Sequence, residues 1–310
     1  MRVLITGGNG FIGENLNHKL QGRGAEVILI TREQWDGSDN FLFLNNLLSD
    51  GVESTFVHLA AIADVKVCEE DYELCKKVNI DQLENLLENL IMSNISNFLF
   101  ASSMAVYGDT VKEVVSESAK LSFNSRYGES KIIGENLLRE WSLKNNKTAL
   151  SFRIANLYGF RVGGEVHNKG VVSYLIRELG KGERVTLEVS NTTYLPAKRD
   201  FVNVLDCVDL LIRGIFYKEY LFETTLIEGK YNSFNISQGE GIEILKIALF
   251  LAKYFKFKGS IAVKLSDNIF NGVGANDKAW EVFNWRASHL FFEDLISMAD
   301  SYRGKICLDS

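Results

Sequence analysis

A doubly wound α/β fold, a parallel sheet with a smaller C-terminal lobe, is predicted by three features of this sequence. An apolar strand at the N-terminus, Val3 to Ile5, runs straight into a glycine-rich turn. Further short apolar runs, Val27 to Ile30, Thr55 to Leu59, Phe98 to Ala101 and Ala149 to Ile154, alternate with longer helix-like segments. Parallel strands joined by crossover helices read this way, because strands covered on both faces carry nearly continuous apolar residues. The 310 residues are also 46% hydrophobic, without repeat or low-complexity linker, so the chain can bury a sizeable core.

Taken in order, Phe11 to Leu20 follows the glycine turn as the first helix. Arg32 to Asp50 is short and polar around a brief Phe41-Leu42-Phe43-Leu44 run, and a loop or minor strand is expected there rather than a crossover helix. Beyond Asn156 the alternation loosens, although Tyr231 to Ile236 reads as a strand and Glu243 to Phe255 as an amphipathic helix. Residues 1–155, with about 200–240, are assigned to the sheet domain, and 156–199 with 241–310 to the smaller lobe.

Composition narrows the partners. A net charge of -6 and a pI near 5.4 supply no basic face for a nucleic-acid backbone. No apolar run approaches the ~20 residues that span a bilayer, and a strand beginning at residue 2 leaves no room for a signal peptide, so a cytoplasmic protein is expected. Cys68, Cys75, Cys207 and Cys307 show no CxxC spacing, and His18, His58, His167 and His289 are scattered. No metal site is expected, and the cysteines read as reduced, structural thiols. His58 is expected as a hydrogen-bonded core residue and His167 as an exposed loop residue.

The chemistry begins at Thr6-Gly7-Gly8-Asn9-Gly10-Phe11-Ile12-Gly13, directly after a strand and directly before a helix. A dinucleotide pyrophosphate needs a tight turn, close backbone approach and a helix packed against the strand, and glycines at 7, 10 and 13 answer those needs. Gly8, Gly10 and Gly13 also match GxGxxG, so whether Gly7 or Gly8 makes the turn stays open. The helix N-terminus then faces the phosphates. After the second strand, Thr31 and Arg32 stand where an NAD site would carry an acidic residue; a guanidinium there suits the 2'-phosphate of NADP, the alternative being Glu33 on the ribose.

Tyr127-Gly128-Glu129-Ser130-Lys131 places a phenol and an ammonium one helical turn apart. The same spacing recurs at Tyr72/Lys76, Tyr194/Lys198 and Tyr254/Lys258, so context must choose. Only Tyr127 opens a helix between two buried-strand runs and follows the strand end Phe98 to Ser103. A tyrosine serves as both acid and base toward a carbonyl if a neighbouring ammonium and a cationic nicotinamide pull its pKa below ~10. Ser103 would hydrogen-bond the reacting oxygen.

Together these segments resemble the extended short-chain dehydrogenases/reductases of the NAD-dependent epimerase/dehydratase family, which act on nucleotide sugars. The resemblance runs through TGGNGFIG at 6–13, VHLAA at 57–61, Asn79, SSMAVYG at 102–108, YGESK at 127–131, RIANLYG at 153–159 and RDFVNVLD at 199–206. It implies a Rossmann domain and catalysis by Ser103, Tyr127 and Lys131. The cofactor-binding set it implies is Thr6, Gly7, Gly10, Phe11, Ile12, Gly13, Thr31, Arg32, Leu59, Ala60, Ala61, Asn79, Ala101, Ser102, Tyr127 and Lys131. A nucleotide diphosphate sugar would be held by Ser103, Met104, Asn156 and Arg199, with Arg199 on the diphosphate; without the family, Arg199 reads as a surface salt bridge with Asp200. The family's dimer would pair helices around Asn79 to Met92 and Tyr127 to Lys144 into a four-helix bundle.

Departures from the family pattern narrow the reaction. Met104 and Ala105 replace the Asp-Glu pair of the family's dehydratases, and neither transfers a proton, which argues against a 4,6-dehydratase. Phe160 replaces a common proline, and Asn191 to Pro196 replaces the usual Gly-x-Gly before Arg199. Two enzymatic readings remain: an NADP-dependent 4-ketoreductase acting on a 4-keto-6-deoxyhexose nucleotide, favoured by Thr31-Arg32, and an NAD-dependent 4-epimerase. A non-catalytic NADP-binding module is the third expectation.

Overall fold

The computed structural model describes residues 1–31, 34, 41–91, 93–110, 114–191, 193–221, 227–266 and 272–308. Its centre is a parallel sheet of six strands: β1 (Arg2–Thr6), β2 (Glu26–Ile30), β3 (Ser54–His58), β4 (Ile95–Ser103), β5 (Thr148–Ile154) and β6 (Tyr231–Ile236). In space they run β2-β1-β3-β4-β5-β6. The chain steps outward from β1 to β2, then returns past β1 to build the other side. This reversal opens a crevice at the carboxyl ends of β1 and β3, where ligands of doubly wound sheets bind.

Both faces of the sheet are covered, which is why β1, β3 and β5 are buried at every position. On one face Val3, Ile5, Leu99 and Phe152 meet the helix Val204–Ile215; on the other Leu4, Phe56, Phe98 and Phe100 meet Leu83, Leu138 and Trp141. The C-terminal part has its own core, where Phe201, Leu175, Ile247 and Leu295 bring together the helices Val171–Gly180, Ile244–Tyr254 and Phe291–Leu308. It hangs on a three-stranded sheet of Asn156–Tyr158, Lys198–Asn203 and Gly241–Glu243. The six predicted strands and the helix predicted from Glu243 are present. Among the described residues no helix is long and apolar enough to cross a membrane.

Two expectations are corrected. Phe41–Leu47 is a helix, not a loop or minor strand. The polar composition concealed one apolar stripe, Leu44 and Leu48, spaced four apart and buried beside Ile30 in the second core. Cys68 and Cys75 are joined as a disulfide rather than lying as separate thiols. Seven residues along one continuous helix would separate their Cα atoms by ~10 Å. The chain instead breaks at Asp71, whose side chain accepts from Leu74 N as the cap of the next helix, and the two Cα atoms lie 5.1 Å apart. Cys207 is a buried free thiol, and the side chain of Cys307 lies outside the described residues.

Leu44→Ala tests the packing of the 41–47 helix. It is expected to lower unfolding stability by about 3 kcal/mol in urea titration, the cost of a cavity under a buried leucine.

Candidate active site

At the end of β1 the buried Thr6 hydroxyl bonds His58 Nδ1 at 2.9 Å and accepts from Ala60 N at 3.3 Å, tying the turn after β1 to the turn after β3. Gly7 then takes φ +70°, and a Cβ on it would lie 2.8 Å from Ala60 N and 2.9 Å from the carbonyl carbon of Leu59. This settles the open choice: Gly7 makes the turn, whereas a Cβ at Gly8 would meet only the Leu29 side chain. Gly10 donates its N–H to Gly7 O at 2.9 Å and caps the helix Phe11–Gln21. A Cβ on Gly13 would stand 2.3 Å from Gly7 O, so helix and turn touch backbone to backbone. The first-turn N–H groups at Phe11, Ile12 and Gly13 have no intrahelical partner and lie at the positive end of the helix. This is a cradle that side chains would fill, and it fits a pyrophosphate.

Thr31 is exposed at the end of β2, its N–H donating to Gln34 Oε1 at 2.9 Å. Arg32 and Glu33 lie outside the described residues.

The segment from Phe160 to His167 folds over this cradle. Arg161 pairs with Glu14 of the first helix and reaches Asn9 O at 3.4 Å, Val162 N donates to Glu14 Oε1 at 3.2 Å, and Asn15 donates to Phe160 O at 3.3 Å. His167 stacks on Phe11 with ring centroids 3.9 Å apart. It is therefore not an exposed loop residue. Burial, with Arg161 and Lys169 nearby, brings its pKa down to about 4 and keeps it neutral. Nothing local in the sequence announces these contacts, which join residues far apart in the chain.

The candidate acid–base group is set by another backbone approach. Ser125 caps the helix Arg126–Asn145, accepting from Gly128 N at 3.1 Å. A Cβ on Gly128 would fall 2.7 Å from Ala105 O, so the helix start is pressed onto the turn that follows β4. Tyr127 and Ser103 meet there on the wall of one cleft, where the serine side chain favours the charged form of the phenol. Lys131, one turn on, is buried; its Nζ donates to Ala101 O at 2.8 Å and lies 5.7 Å from the centroid of the Tyr127 ring. Burial lowers the ammonium pKa to about 8, against the pull of Glu135.

Burial raises the pKa of the phenol from its ordinary value, and the Ser103 side chain opposes the rise. The competing pairs are elsewhere engaged: Tyr72 lies beneath the Arg126 guanidinium at 4.6 Å, Tyr254 bonds Asp300, and Tyr194 is 70% exposed.

Ser103, Met104, Tyr127, Asn156 and Arg199 line one cleft of about 690 Å³, together with Glu69, which no sequence signal singled out. Glu69 arrives from the helix Val65–Glu70 and accepts from Arg126 N at 2.6 Å. Arg199 does not pair with Asp200. Adjacent residues of a strand face opposite ways: Asp200 turns inward and accepts from Gln238 N and Gly239 N, while Arg199 Nε has no partner among the described residues. Burial lowers the guanidinium pKa and raises that of Asp200 to about 7. Asn156 donates to Asp200 O at 2.8 Å, linking the cleft floor to the lobe.

Two residues of the expected cofactor set spend their side chains inside the protein. Asn79, in a π-helical turn, accepts from Ile62 N at 2.8 Å and donates to Ser130 Oγ at 3.1 Å, fastening the loop after β3 to the Tyr127 helix. Ser102 donates to Glu135 at 2.6 Å.

A family model described as "NAD dependent epimerase/dehydratase family" matches residues 3–216. The chain belongs to this family. It is accordingly an enzyme of the extended short-chain dehydrogenase/reductase type. The chain is 23% identical to a UDP-glucose 4-epimerase of Lacticaseibacillus casei, over 96% of each protein. Among solved structures it is similar to a Thermus thermophilus UDP-glucose 4-epimerase complex with NAD (TM-score 0.82, 25% identity, 98% of this chain and 99% of that one). It is also similar in fold to RMD from Pseudomonas aeruginosa complexed with NADPH (TM-score 0.80, 19% identity, 98% and 99%).

Gly13→Ala forces a methyl into the helix–turn contact. Overpacking of this kind costs ~1–3 kcal/mol, so dinucleotide affinity, read by nicotinamide fluorescence titration, is expected to fall by roughly tenfold or more. Gly304→Ala, with open space around it, is expected to leave affinity unchanged.

Proposed function

We propose that this enzyme is a nucleotide-sugar 4-epimerase working as a cytoplasmic homodimer, with a nucleoside diphosphate hexose in the 690 Å³ cleft. One observation carries the reading: the Tyr127–Ser103 hydroxyl pair and the Arg199 guanidinium, its Nε unpartnered among the described residues, open onto the same cavity. A guanidinium with a free donor suits a diphosphate, and a phenol beside a serine hydroxyl suits the oxygen of a carbon being oxidised or reduced. Full-length similarity to UDP-glucose 4-epimerases supports the uridine nucleotide and the C4 centre. Dimerisation would use the helices Gln82–Asn89 and Arg126–Asn145, the second of which leaves Leu143 67% exposed.

A bound dinucleotide, held at the Gly7–Gly13 cradle, supplies the hydride acceptor and donor. Tyr127 takes the proton of the sugar hydroxyl as the carbon is oxidised and gives one back to the resulting ketone. Ser103 bonds the same oxygen and fixes its distance from the phenol. Lys131, donating to Ala101 O, holds positive charge beside the phenolate that Tyr127 becomes. Met104 lines the cavity as an apolar wall without a proton to give, so elimination of water gains no acid or base from that position.

Thr31-Arg32 favours a second reading, NADPH-dependent reduction of a 4-keto sugar nucleotide by the same residues. Incubation with UDP-glucose distinguishes the two. Conversion to UDP-galactose without net change in nicotinamide absorbance is expected; stoichiometric NADPH consumption with a 4-keto-6-deoxy sugar nucleotide, and no epimer, would establish the reductase. Tyr127→Phe is expected to lower kcat at least about 100-fold, with the KM for the sugar nucleotide changed little.

The Lys131 ammonium exists below its pKa of about 8 and is lost above it. Turnover is therefore expected to decline as pH rises through about 8, and a kcat–pH profile of Lys131→Met should lack that limb.

A further inference from the structure

Behind the acid–base pair lies a buried carboxylate that the proposed mechanism does not use. Glu135 is fully buried and shares one face of its helix with Tyr127 and Lys131, at successive spacings of four. Its Oε1 accepts from Ser102 Oγ at 2.6 Å and Arg153 Nε at 3.0 Å; its Oε2 accepts from Arg153 Nη2 at 2.7 Å and Tyr231 OH at 3.1 Å. All four donors come from the sheet: Ser102 from β4, Arg153 from β5 and Tyr231 from β6. Arg153 in turn donates to Tyr107 OH at 2.9 Å and Glu117 O at 3.0 Å.

Ser102 is the residue before Ser103, and Ala101, the residue before that, accepts from Lys131. Two bonds one helical turn apart, Lys131 Nζ to Ala101 O and Ser102 Oγ to Glu135 Oε1, therefore bolt the Tyr127 helix to the strand end that presents Ser103. Resting on the reading of Tyr127 and Lys131 as the acid–base pair, we propose that Glu135, clamped by Arg153, is a positioning residue that sets the register of Tyr127 and Lys131 against Ser103 and holds the Lys131 ammonium in place. A merely structural ion pair would need neither the bond to Ser102 nor a place in line with Lys131. A buried pair is moreover no dependable source of stability, since desolvating both charges offsets much of their attraction.

Among the described residues, the groups facing Lys131 come from three elements. From β3 comes His58, kept neutral because burial holds its pKa at about 3; from β4 come the Phe100 ring, 4.8 Å away, and the Ala101 carbonyl; from its own helix come Tyr127 and Glu135. Glu135 is the anion among them, and it favours the charged form of Lys131.

Three variants test this by kcat, KM and kcat–pH profile, with thermal melting as the check on folding. Ser102→Ala removes one bond while Glu135 stays paired with Arg153; kcat is expected to fall roughly tenfold, as slight misplacement of reacting groups does, with the sugar-nucleotide KM within about twofold and the alkaline limb unmoved. Glu135→Asp keeps the carboxylate but draws it back by a methylene, so kcat falls and the limb stays. Glu135→Gln removes the charge, so the limb moves to lower pH. If Glu135→Gln does not fold, the other two carry the test. Wild-type kcat in both Ser102→Ala and Glu135→Asp, or a folded Glu135→Gln whose alkaline limb has not moved, would overturn the proposal. Failure of the underlying acid–base reading is separately visible as near-normal turnover in Tyr127→Phe.

Discussion

Backbone-to-backbone contact at three missing Cβ atoms holds the proposed reaction centre together. Gly13 lies against Gly7 O, Gly7 against Ala60 N, and Gly128 against Ala105 O, each closer than a side chain would allow. The first two contacts leave helix N–H groups aimed at the crevice beside β1; the third brings a phenol from one helix against a hydroxyl at a strand end. Protein interiors are too densely packed to absorb a methyl at such points without displacing an element. The rest of the molecule supports these contacts, with the parallel sheet fixing where its strand ends emerge.

Charge is arranged around that geometry. Lys131, Arg153, Glu135 and Asp200 are held almost entirely out of water, and each has its polar partners. Arg199 differs, because its Nε is buried and has none among the described residues. A guanidinium in that condition is an incomplete structure, and a diphosphate supplies the acceptors it lacks. The segment from Phe160 to His167 adds a second layer, since Arg161 neutralises Glu14 in the first turn of the helix that opens the glycine cradle, and His167 covers Phe11. An uncompensated carboxylate there would oppose a bound phosphate.

The expectations that failed share a cause. The 41–47 helix is hidden in the sequence because only Leu44 and Leu48 report its buried face, and two positions do not make a visible period. The Cys68–Cys75 disulfide depends on a chain break at Asp71, which turns two residues a helix would separate toward each other. His167 reads as a surface residue because its neighbours in sequence are glycines and polar residues, while its neighbour in space is Phe11.

The sequence by itself determined the sheet and the glycine turn, and it singled out Ser103, Tyr127, Lys131 and Arg199 as candidates for one site. Those signals are local: periodicity, a turn that tolerates no Cβ, and pairs one helical turn apart. Only the tertiary structure decided that Gly7 makes the turn, that Arg199 faces away from Asp200, and that Glu135 stands behind Lys131. Each of these is fixed by which strand lies beside which and which way a side chain leaves it. Such relations join residues far apart in the chain, and no short window of sequence contains both partners.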